Sequence, residues 1–372
     1  MQRTSMYSIY DYAYNGLLYL NNMMRPRHKR LSQLMIYSTT ACQSRCKHCN
    51  IWQKKVEHLS LSDIQRIMQS RCVTKQTTVG LEGGEFILHP QAEEIMAWFR
   101  EHHPNYTLLS NCLAPSRVID AVRRYQPRHL YVSLDGGRET YQRMRGRDGY
   151  DRVIQVVEAL KDEVALSLMF CLSPWNTFED MAYVIDVAKH YDVDVRIGIY
   201  GTMAYMTAPK APLSSPEGDT IDPTLDSKTI EAPSGAVWGA LSQTQENFDF
   251  VALYDQWLGG HLRLRCQSIM SCLVVHSNGD VPLCQNLDVV LGNIHEQSLD
   301  DIFNGSQACQ TQCQYSRDCN DCWINFHRKY DIILVRNFER MLPKWLIEKI
   351  YGPYQWTADP KQTYRKHLKA IQ

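Results

Sequence analysis

The chain has 372 residues, 44% hydrophobic and 22% charged, and its forty basic and forty acidic side chains cancel. This composition is typical of a globular protein with a buried core, and the balanced charge predicts no nucleic-acid-binding surface. No apolar run reaches the roughly 18 residues of a membrane span, and the N-terminal stretch is too polar for a secretory signal. We therefore expect a cytoplasmic protein without a transmembrane segment.

Short apolar runs alternate with helical patterns over residues 34–201. Ser62 and Gln65 have capping-box spacing before one helix, and Pro90 precedes the acidic first turn of another. Six strand–helix units in series predict a parallel sheet with right-handed crossovers, whose chemistry lies at the carboxyl ends of the strands. The predicted strands are 34–40, 77–83, 106–111, 129–135, 164–172 and 193–201.

The remaining patterns predict a division into domains. The stretch 202–235 is dense in Pro, Ser, Thr and Asp, which is typical of either a functional lid or a linker. The basic run RPRHKR (25–30) is interpreted as a solvated turn. The expected units are a helical extension (1–33), an α/β domain (34–201), an irregular insertion and linker (202–263), a Cys-rich module (264–330) and a helical tail (331–372).

Ten of the thirteen cysteines are clustered, three at 42–49, three at 266–284 and four at 309–322. In a reducing compartment such clusters indicate metal or redox chemistry rather than disulfides. The first three have the spacing CxxxCxxC. A structural zinc site would take a fourth ligand from a second CxxC or a His, whereas an iron–sulfur cluster on three thiolates leaves one iron open.

The CxxxCxxC motif, directly after the first strand, resembles that of the radical S-adenosylmethionine (radical SAM) superfamily. Three later stretches are similar to that family in order and position: GLEGGEF (80–86), LLSNCL (108–113) and YVSLDGG with the following RG (131–146). The resemblance, which spans residues 34–201, implies a partial (β/α)6 TIM-like barrel. It also implies a 4Fe–4S cluster on Cys42, Cys46 and Cys49, with SAM on its open iron.

The same resemblance implies a SAM-binding set at the strand ends. Adjacent glycines allow close backbone approach, a carboxylate accepts bonds from an ammonium group, and a guanidinium offers a fork to a carboxylate. Short polar side chains suit a ribose or carboxylate, and an imidazole stacks near adenine. The expected residues are Gly83, Gly84, Glu85, Asn111, Ser133, Arg145 and His48.

The C-terminal cysteines resemble the SPASM extension, which carries auxiliary 4Fe–4S clusters. No cysteine follows Cys322, so a second auxiliary cluster needs a non-Cys ligand, keeps an open iron or does not form; Asp321, His327, Asp331 and Glu339 are the nearest other ligands. A zinc ribbon remains an alternative, because C-x2-C is also a zinc spacing. By order, the resemblance assigns Cys266, Cys272, Cys284 and Cys322 to a first cluster, and Cys309, Cys313 and Cys319 to a second.

Two residues are candidates for catalysis. Sulfatase-maturing relatives place an Asp base directly after the hairpin cysteine, where this chain has Gln285, so Asp288 is the candidate base. Cys171, near the end of the fifth strand, is placed to return a hydrogen atom to a substrate radical, as an epimerase requires.

The resemblance implies that the enzyme reductively cleaves SAM to a 5′-deoxyadenosyl radical, which abstracts a hydrogen atom while auxiliary clusters accept or relay an electron. It implies a flavodoxin or ferredoxin donor and anaerobic conditions. A peptide or protein side chain is the expected substrate, undergoing oxidation, cross-linking or epimerisation. Only 41 residues precede Cys42, so we expect any leader-binding domain to be a separate protein. The alternatives are a sugar, cyclitol or nucleotide-linked dehydrogenase or epimerase, and a non-catalytic zinc-binding interaction module.

Overall fold

A curled sheet of seven parallel strands carries the fold. The computed structural model describes residues 9–201, 203, 205–206, 250–251 and 253–356. Six strands lie within one or two residues of their predicted bounds, and the expected α/β partial barrel is confirmed. They are β1 (Gln33–Thr39), β2 (Thr78–Gly83), β3 (Tyr106–Ser110), β4 (His129–Ser133), β5 (Leu166–Leu172) and β6 (Asp194–Ile199).

The helices between the strands bury one apolar face each. The helix after β3 buries Val118, Ile119 and Val122 against the sheet, as the helical period predicts. The first helix of the repeat begins at Ser60, whose hydroxyl accepts the N–H of Asp63, so the predicted Ser62–Gln65 capping box is wrong. The helices are α1 (Ile9–Met24), α2 (Leu61–Met68), α3 (Ala92–His102), α4 (Pro115–Tyr125), α5 (Arg138–Arg145), α6 (Tyr150–Leu160) and α7 (Phe178–His190).

The seventh strand, β8 (Cys272–Val275), comes from the Cys-rich module and pairs in parallel with β1, with Gln33 opposite Cys272. The strand order across the sheet is β6-β5-β4-β3-β2-β1-β8. All four residues of β8 are buried. The sequence analysis predicted six strands because it treated this short apolar run as part of a cysteine motif. The module therefore shares a sheet, and a hydrophobic core, with the barrel.

The rest of the described chain packs beside this sheet. Trp323 is buried and stacks at 5.5 Å on both Phe250 and Trp257. Asn325 Nδ2 donates to Ile197 O at 2.7 Å and so links the C-terminal helices to β6. These elements are α8 (Tyr254–Leu258), β7 (Leu262–Arg263), β9 (Asp280–Pro282), β10 (Val290–Asn293), α9 (Leu299–Asn304), α10 (Ser306–Asp318), α11 (Asn325–Met341), α12 (Lys344–Ile350) and β11 (Gln355–Trp356).

No described helix has the length and apolar character needed to cross a membrane. Most of the predicted lid or linker at 202–235 lies outside the described residues.

The end of β2 packs directly on the end of β1. The N–H groups of Gly84 and Glu85 donate to the carbonyls of Thr39 and Ala41, both at 2.7 Å. A Cβ on Gly83 would lie 2.3 Å from Thr39 O, and one on Gly84 would lie 2.4 Å from Ala41 O. The two glycines, expected to let backbone approach a ligand, are therefore required first for this contact between strand ends.

We expect Gly83→Ala to lower the free energy of unfolding by about 2–4 kcal/mol, because the methyl group overlaps a carbonyl and φ is +150°. Gly16→Ala, in α1, is the matched control: nothing lies within 4 Å of its Cβ, and we expect a gain of about 0.5–1 kcal/mol. Urea titrations followed by circular dichroism measure both. Equal midpoints for the two variants would contradict this account of the strand ends.

Candidate functional site

The first three clustered thiols lie in the loop after β1, at the carboxyl edge of the sheet. Burial, together with the neighbouring Cys46 thiol, raises the pKa of Cys42 and of Cys49 to about 12. Both thiols are therefore neutral at pH 7 until a cationic centre displaces their protons.

Backbone hydrogen bonds fasten this loop to the last turn of α5. Arg45 N donates to Arg145 O at 2.9 Å and Lys47 N donates to Met144 O at 2.8 Å. The Ser44 hydroxyl adds a third bond to Arg145 O at 3.1 Å. The loop thus has fixed partners on two sides, β2 and α5.

Arg145 and Asp135 form an ion pair below the loop. Arg145 Nε donates to Asp135 Oδ2 at 2.5 Å, and Asp135 is fully buried. Arg145 Nη1 also lies 3.6 Å from Cys46 Sγ, so a cation faces that thiol. The sequence analysis assigned Arg145 to the carboxylate of a ligand; the structure pairs it instead with the protein's own carboxylate.

Glu85 also has partners within the protein. Its two oxygens accept from Ser110 Oγ at 2.8 Å and from Asn111 N at 2.7 Å, and burial raises its pKa to about 7. Asn111 Nδ2 in turn lies 3.7 Å from Cys42 Sγ. Glu85, expected to accept an ammonium group, therefore fixes Asn111 beside the first thiol.

Four buried polar atoms around this loop have no hydrogen-bond partner among the described residues. They include His48 Nδ1, whose ring is neutral because burial lowers its pKa to about 4. Native structures leave few such atoms unsatisfied, so a set of four around three thiols indicates a bound group. The residues present therefore fit a cluster with an attached polar ligand. The four atoms are His48 Nδ1, Gln43 Oε1, Trp52 Nε1 and Gln53 Oε1.

Ser133 and Cys171 lie at the ends of neighbouring strands. Ser133 is buried at the end of β4. The N–H of Cys171 donates to Asp135 Oδ1 at 3.1 Å, and its thiol is partly exposed between buried Phe170 and Leu172. Burial, with the Asp135 charge, raises the pKa of Cys171 to about 12, so it is a neutral thiol.

A second group of thiols lines one pocket in the C-terminal module, together with His327. The other walls are largely apolar, and burial raises the pKa of Cys322 to about 12. Within the described ranges, no three His, Cys, Asp or Glu side chains come close enough together to hold a single metal ion. Because a zinc ion needs its four ligands within about 2.3 Å of one point, this open arrangement fits a polynuclear cluster better. The four thiols are Cys266, Cys284, Cys319 and Cys322.

This set differs from the expected one at one position. Cys319 lines the pocket, whereas Cys272 begins β8 and is buried with its Sγ 3.6 Å from Ser32 Oγ. Cys272 is occupied by the sheet because β8 pairs with β1. The C-x2-C spacing of Cys319 and Cys322 was the sequence signal that these two thiols act together.

Gln285 connects the pocket to the barrel. It directly follows Cys284; its N–H donates to His327 Nε2 at 3.3 Å, and its side-chain amide donates to Tyr37 OH at 2.8 Å. Asp288, the candidate base, is exposed. The structure thus gives the barrel contact to Gln285. Sequence reasoning noted Gln285 only as a departure, and it missed Tyr37 and Asp135.

Two family models match the chain in the same places as these thiols. Residues 36–199 match the Radical SAM superfamily, and residues 266–323 match SPASM, an iron–sulfur cluster-binding domain. The chain belongs to the radical SAM superfamily. The predicted family and cofactors are confirmed: this radical SAM protein uses 4Fe–4S clusters and SAM. A search of curated proteins finds no match.

Solved structures show the same fold at low identity. SuiB of Streptococcus suis bound to its precursor peptide SuiA has a TM-score of 0.58 at 13% identity, over 86% of this chain and 77% of that one. SuiB bound to S-adenosylmethionine has a TM-score of 0.55 at 13% identity, over 76% and 68%. Histidine-tagged anSMEcpe with bound AdoMet has a TM-score of 0.51 at 14% identity, over 92% and 96%. At these identities the likeness extends to the fold of this radical SAM protein and no further.

We expect Asp135→Ala to lower the free energy of unfolding by about 3–5 kcal/mol, because it leaves the buried Arg145 guanidinium unpaired beside the cluster loop. Asp151→Ala is the control, because it breaks a pair with Arg138 in which both side chains are more than half exposed. Such surface pairs contribute little, so its urea midpoint stays close to that of the wild type. Similar losses in the two variants would contradict the structural role of Asp135.

Proposed function

We propose that this radical SAM protein reductively cleaves SAM at a 4Fe–4S cluster on Cys42, Cys46 and Cys49 and abstracts a hydrogen atom from a peptide or protein side chain. The observation that carries the proposal is the loop itself, with three thiols fixed at the carboxyl edge of the sheet beside four unsatisfied polar atoms. When bound, the cluster and SAM supply the one-electron chemistry that opens an unactivated C–H bond.

The protein's own residues orient the bound groups. Arg145 places a cation 3.6 Å from Cys46, which favours its thiolate form. Asn111 donates toward Cys42 from the other side at 3.7 Å. The neutral His48 ring is proposed to stack on the adenine, and Ser133 to contact the ribose or carboxylate. The two glycines at the end of β2 hold the strand end on which these groups depend.

The pocket of Cys266, Cys284, Cys319 and Cys322 is proposed to hold an auxiliary 4Fe–4S cluster that accepts or relays an electron. Its largely apolar walls exclude water, which helps to set the potential of such a cluster. The residue after Cys284, Gln285, gives it a hydrogen-bonded connection to the tyrosine hydroxyl in β1. A flavodoxin or ferredoxin is the proposed donor.

A peptide substrate is supported by the relatives of similar fold. SuiB was solved with its precursor peptide SuiA, and native anSMEcpe, at a TM-score of 0.50, with the Kp18Cys peptide. Epimerisation is one proposed outcome, because the neutral Cys171 thiol is partly exposed beside Asp135. A small-molecule dehydrogenase or epimerase is the alternative that the substrate test distinguishes.

The first test is SAM cleavage by the anaerobically reconstituted, reduced protein. We expect 5′-deoxyadenosine and methionine, measured by mass spectrometry, and product at background level in Cys46→Ala, because that variant loses a cluster ligand. Cys313→Ser, an exposed thiol outside both thiol sites, is the control and keeps the wild-type rate. A colourless, zinc-loaded protein that ignores SAM would establish the interaction-module alternative instead.

The second test concerns the substrate. Size-fractionated peptides and a pool of nucleotide sugars and cyclitols are added separately to the SAM reaction. We expect only the peptide pool to raise the rate of 5′-deoxyadenosine formation above the uncoupled rate, because substrate binding precedes productive cleavage. Stimulation by the small-molecule pool alone would overturn the peptide assignment while leaving SAM cleavage intact.

A further inference from the structure

The SPASM resemblance assigns Cys309, Cys313 and Cys319 to one auxiliary cluster, but α10 separates them. The helix spans Ser306–Asp318, and Cys319 follows its last residue. At a rise of 1.5 Å per residue, the ten steps from Cys309 to Cys319 place their Cα atoms about 15 Å apart along the axis. A cubane cluster spans only a few ångströms, so these three thiols do not fit around one.

Cys319 is in addition already placed at the other thiol site. It lines the pocket with Cys266, Cys284 and Cys322. Cys313 is exposed on α10. Of the three cysteines expected to hold the second cluster, this leaves Cys309 and Cys313.

The proposed non-Cys ligands do not complete a site there. His327 lines the first pocket. Asp331 accepts the N–H of Gln267 at 2.9 Å and of Ser268 at 3.2 Å. Glu339 accepts the hydroxyl of Tyr354 at 2.9 Å, and Asp321 lies 4.0 Å from Cys319, at the far end of α10.

A lysine contacts Cys309 instead. Lys29 is only 1% exposed, although the run RPRHKR was interpreted as a solvated turn, and that interpretation is wrong for this residue. Its ammonium donates to Cys309 Sγ at 3.4 Å and to Pro26 O at 2.6 Å. The ammonium also lies 4.6 Å from the centre of the Phe303 ring. The Cys309 thiol donates to Pro26 O at 2.9 Å.

Further bonds join the same two segments. Lys29 N donates to Asn304 Oδ1 at 2.9 Å, and Asn304 Nδ2 returns a bond to Lys29 O at 3.3 Å. A buried ammonium against Cys309 Sγ is incompatible with a cationic iron at the same sulfur, because the two positive charges would repel in a low-dielectric site.

We propose that Lys29 and Cys309 form a polar anchor in place of the second SPASM cluster, so that the chain carries one auxiliary cluster and two clusters in all. The anchor ties residues 25–30, which precede β1, to the start of α10. Neither Cys309 nor Cys313 is a metal ligand. This inference concerns cluster number and does not require that the proposed substrate be correct.

Iron and acid-labile sulfide per chain, measured after anaerobic reconstitution, test the cluster number. We expect about eight irons in the wild type, in Cys309→Ser and in Cys313→Ser, and about four in Cys319→Ser. About twelve irons in the wild type, or a loss of about four in Cys309→Ser or Cys313→Ser, would overturn the proposal. A Cys42, Cys46 and Cys49 triple alanine variant retains about four irons, which separates failure of the N-terminal site from failure of this inference.

Thiol alkylation of the cluster-loaded protein gives a second readout. Iodoacetamide is applied anaerobically before denaturation, and modified cysteines are mapped by mass spectrometry. We expect Cys313 to react equally in loaded and chelator-stripped protein, and Cys319 to react only after stripping. Protection of Cys313 by the clusters would make it a ligand and refute the assignment.

The anchor itself is tested by Lys29→Met, which keeps the length of the side chain and removes its charge. We expect a lower urea midpoint with iron unchanged at about eight. Cys309→Ser keeps a hydroxyl that can bond both Lys29 and Pro26, so its midpoint stays near the wild type. A large drop in iron for Lys29→Met, in protein that remains folded, would show that Lys29 supports a cluster and would contradict the anchor.

Discussion

The candidate site depends on the backbone hydrogen bonds that hold the loop after β1 against its neighbours. Thr39 and Ala41 accept from the end of β2, while Arg45 and Lys47 donate to the last turn of α5. Buried backbone groups need partners, so this loop cannot shift without leaving several of them unsatisfied. The positions of the three thiols are therefore set by the sheet edge and α5, two rigid parts of the barrel.

Electrostatics explains how such a loop is stable before and after it binds iron. Burial keeps Cys42 and Cys49 as neutral thiols, with pKa values of about 12. The Arg145 cation that faces Cys46 is compensated by the buried Asp135. Cluster binding then exchanges thiol protons for iron, without requiring the protein to hold several uncompensated charges beforehand.

The Cys-rich module is joined to the barrel by more than chain connectivity. β8 extends the barrel sheet beside β1, and Gln285 places an amide on the phenol of Tyr37 in that same strand. The pocket of four thiols therefore has a fixed orientation relative to the N-terminal thiols. A fixed orientation is what electron exchange between two centres requires, since its rate depends strongly on distance. Much of the barrel that provides this frame was predictable: β-branched and aromatic residues mark six strands clearly enough to place their bounds within one or two residues.

The sequence by itself determined the barrel elements and the first thiol site, because the CxxxCxxC spacing lies within a single loop and keeps its thiols close together in any fold. Only the tertiary structure decided which distant residues meet. Sequence order grouped Cys272 with Cys266, but the pairing of β8 with β1 takes Cys272 into the sheet. It likewise grouped Cys309 with Cys319, yet one helix holds them at opposite ends, and Lys29 is buried against the start of that helix. Local spacing limits distances only within a loop or one helix, whereas contacts between elements depend on how the whole core packs.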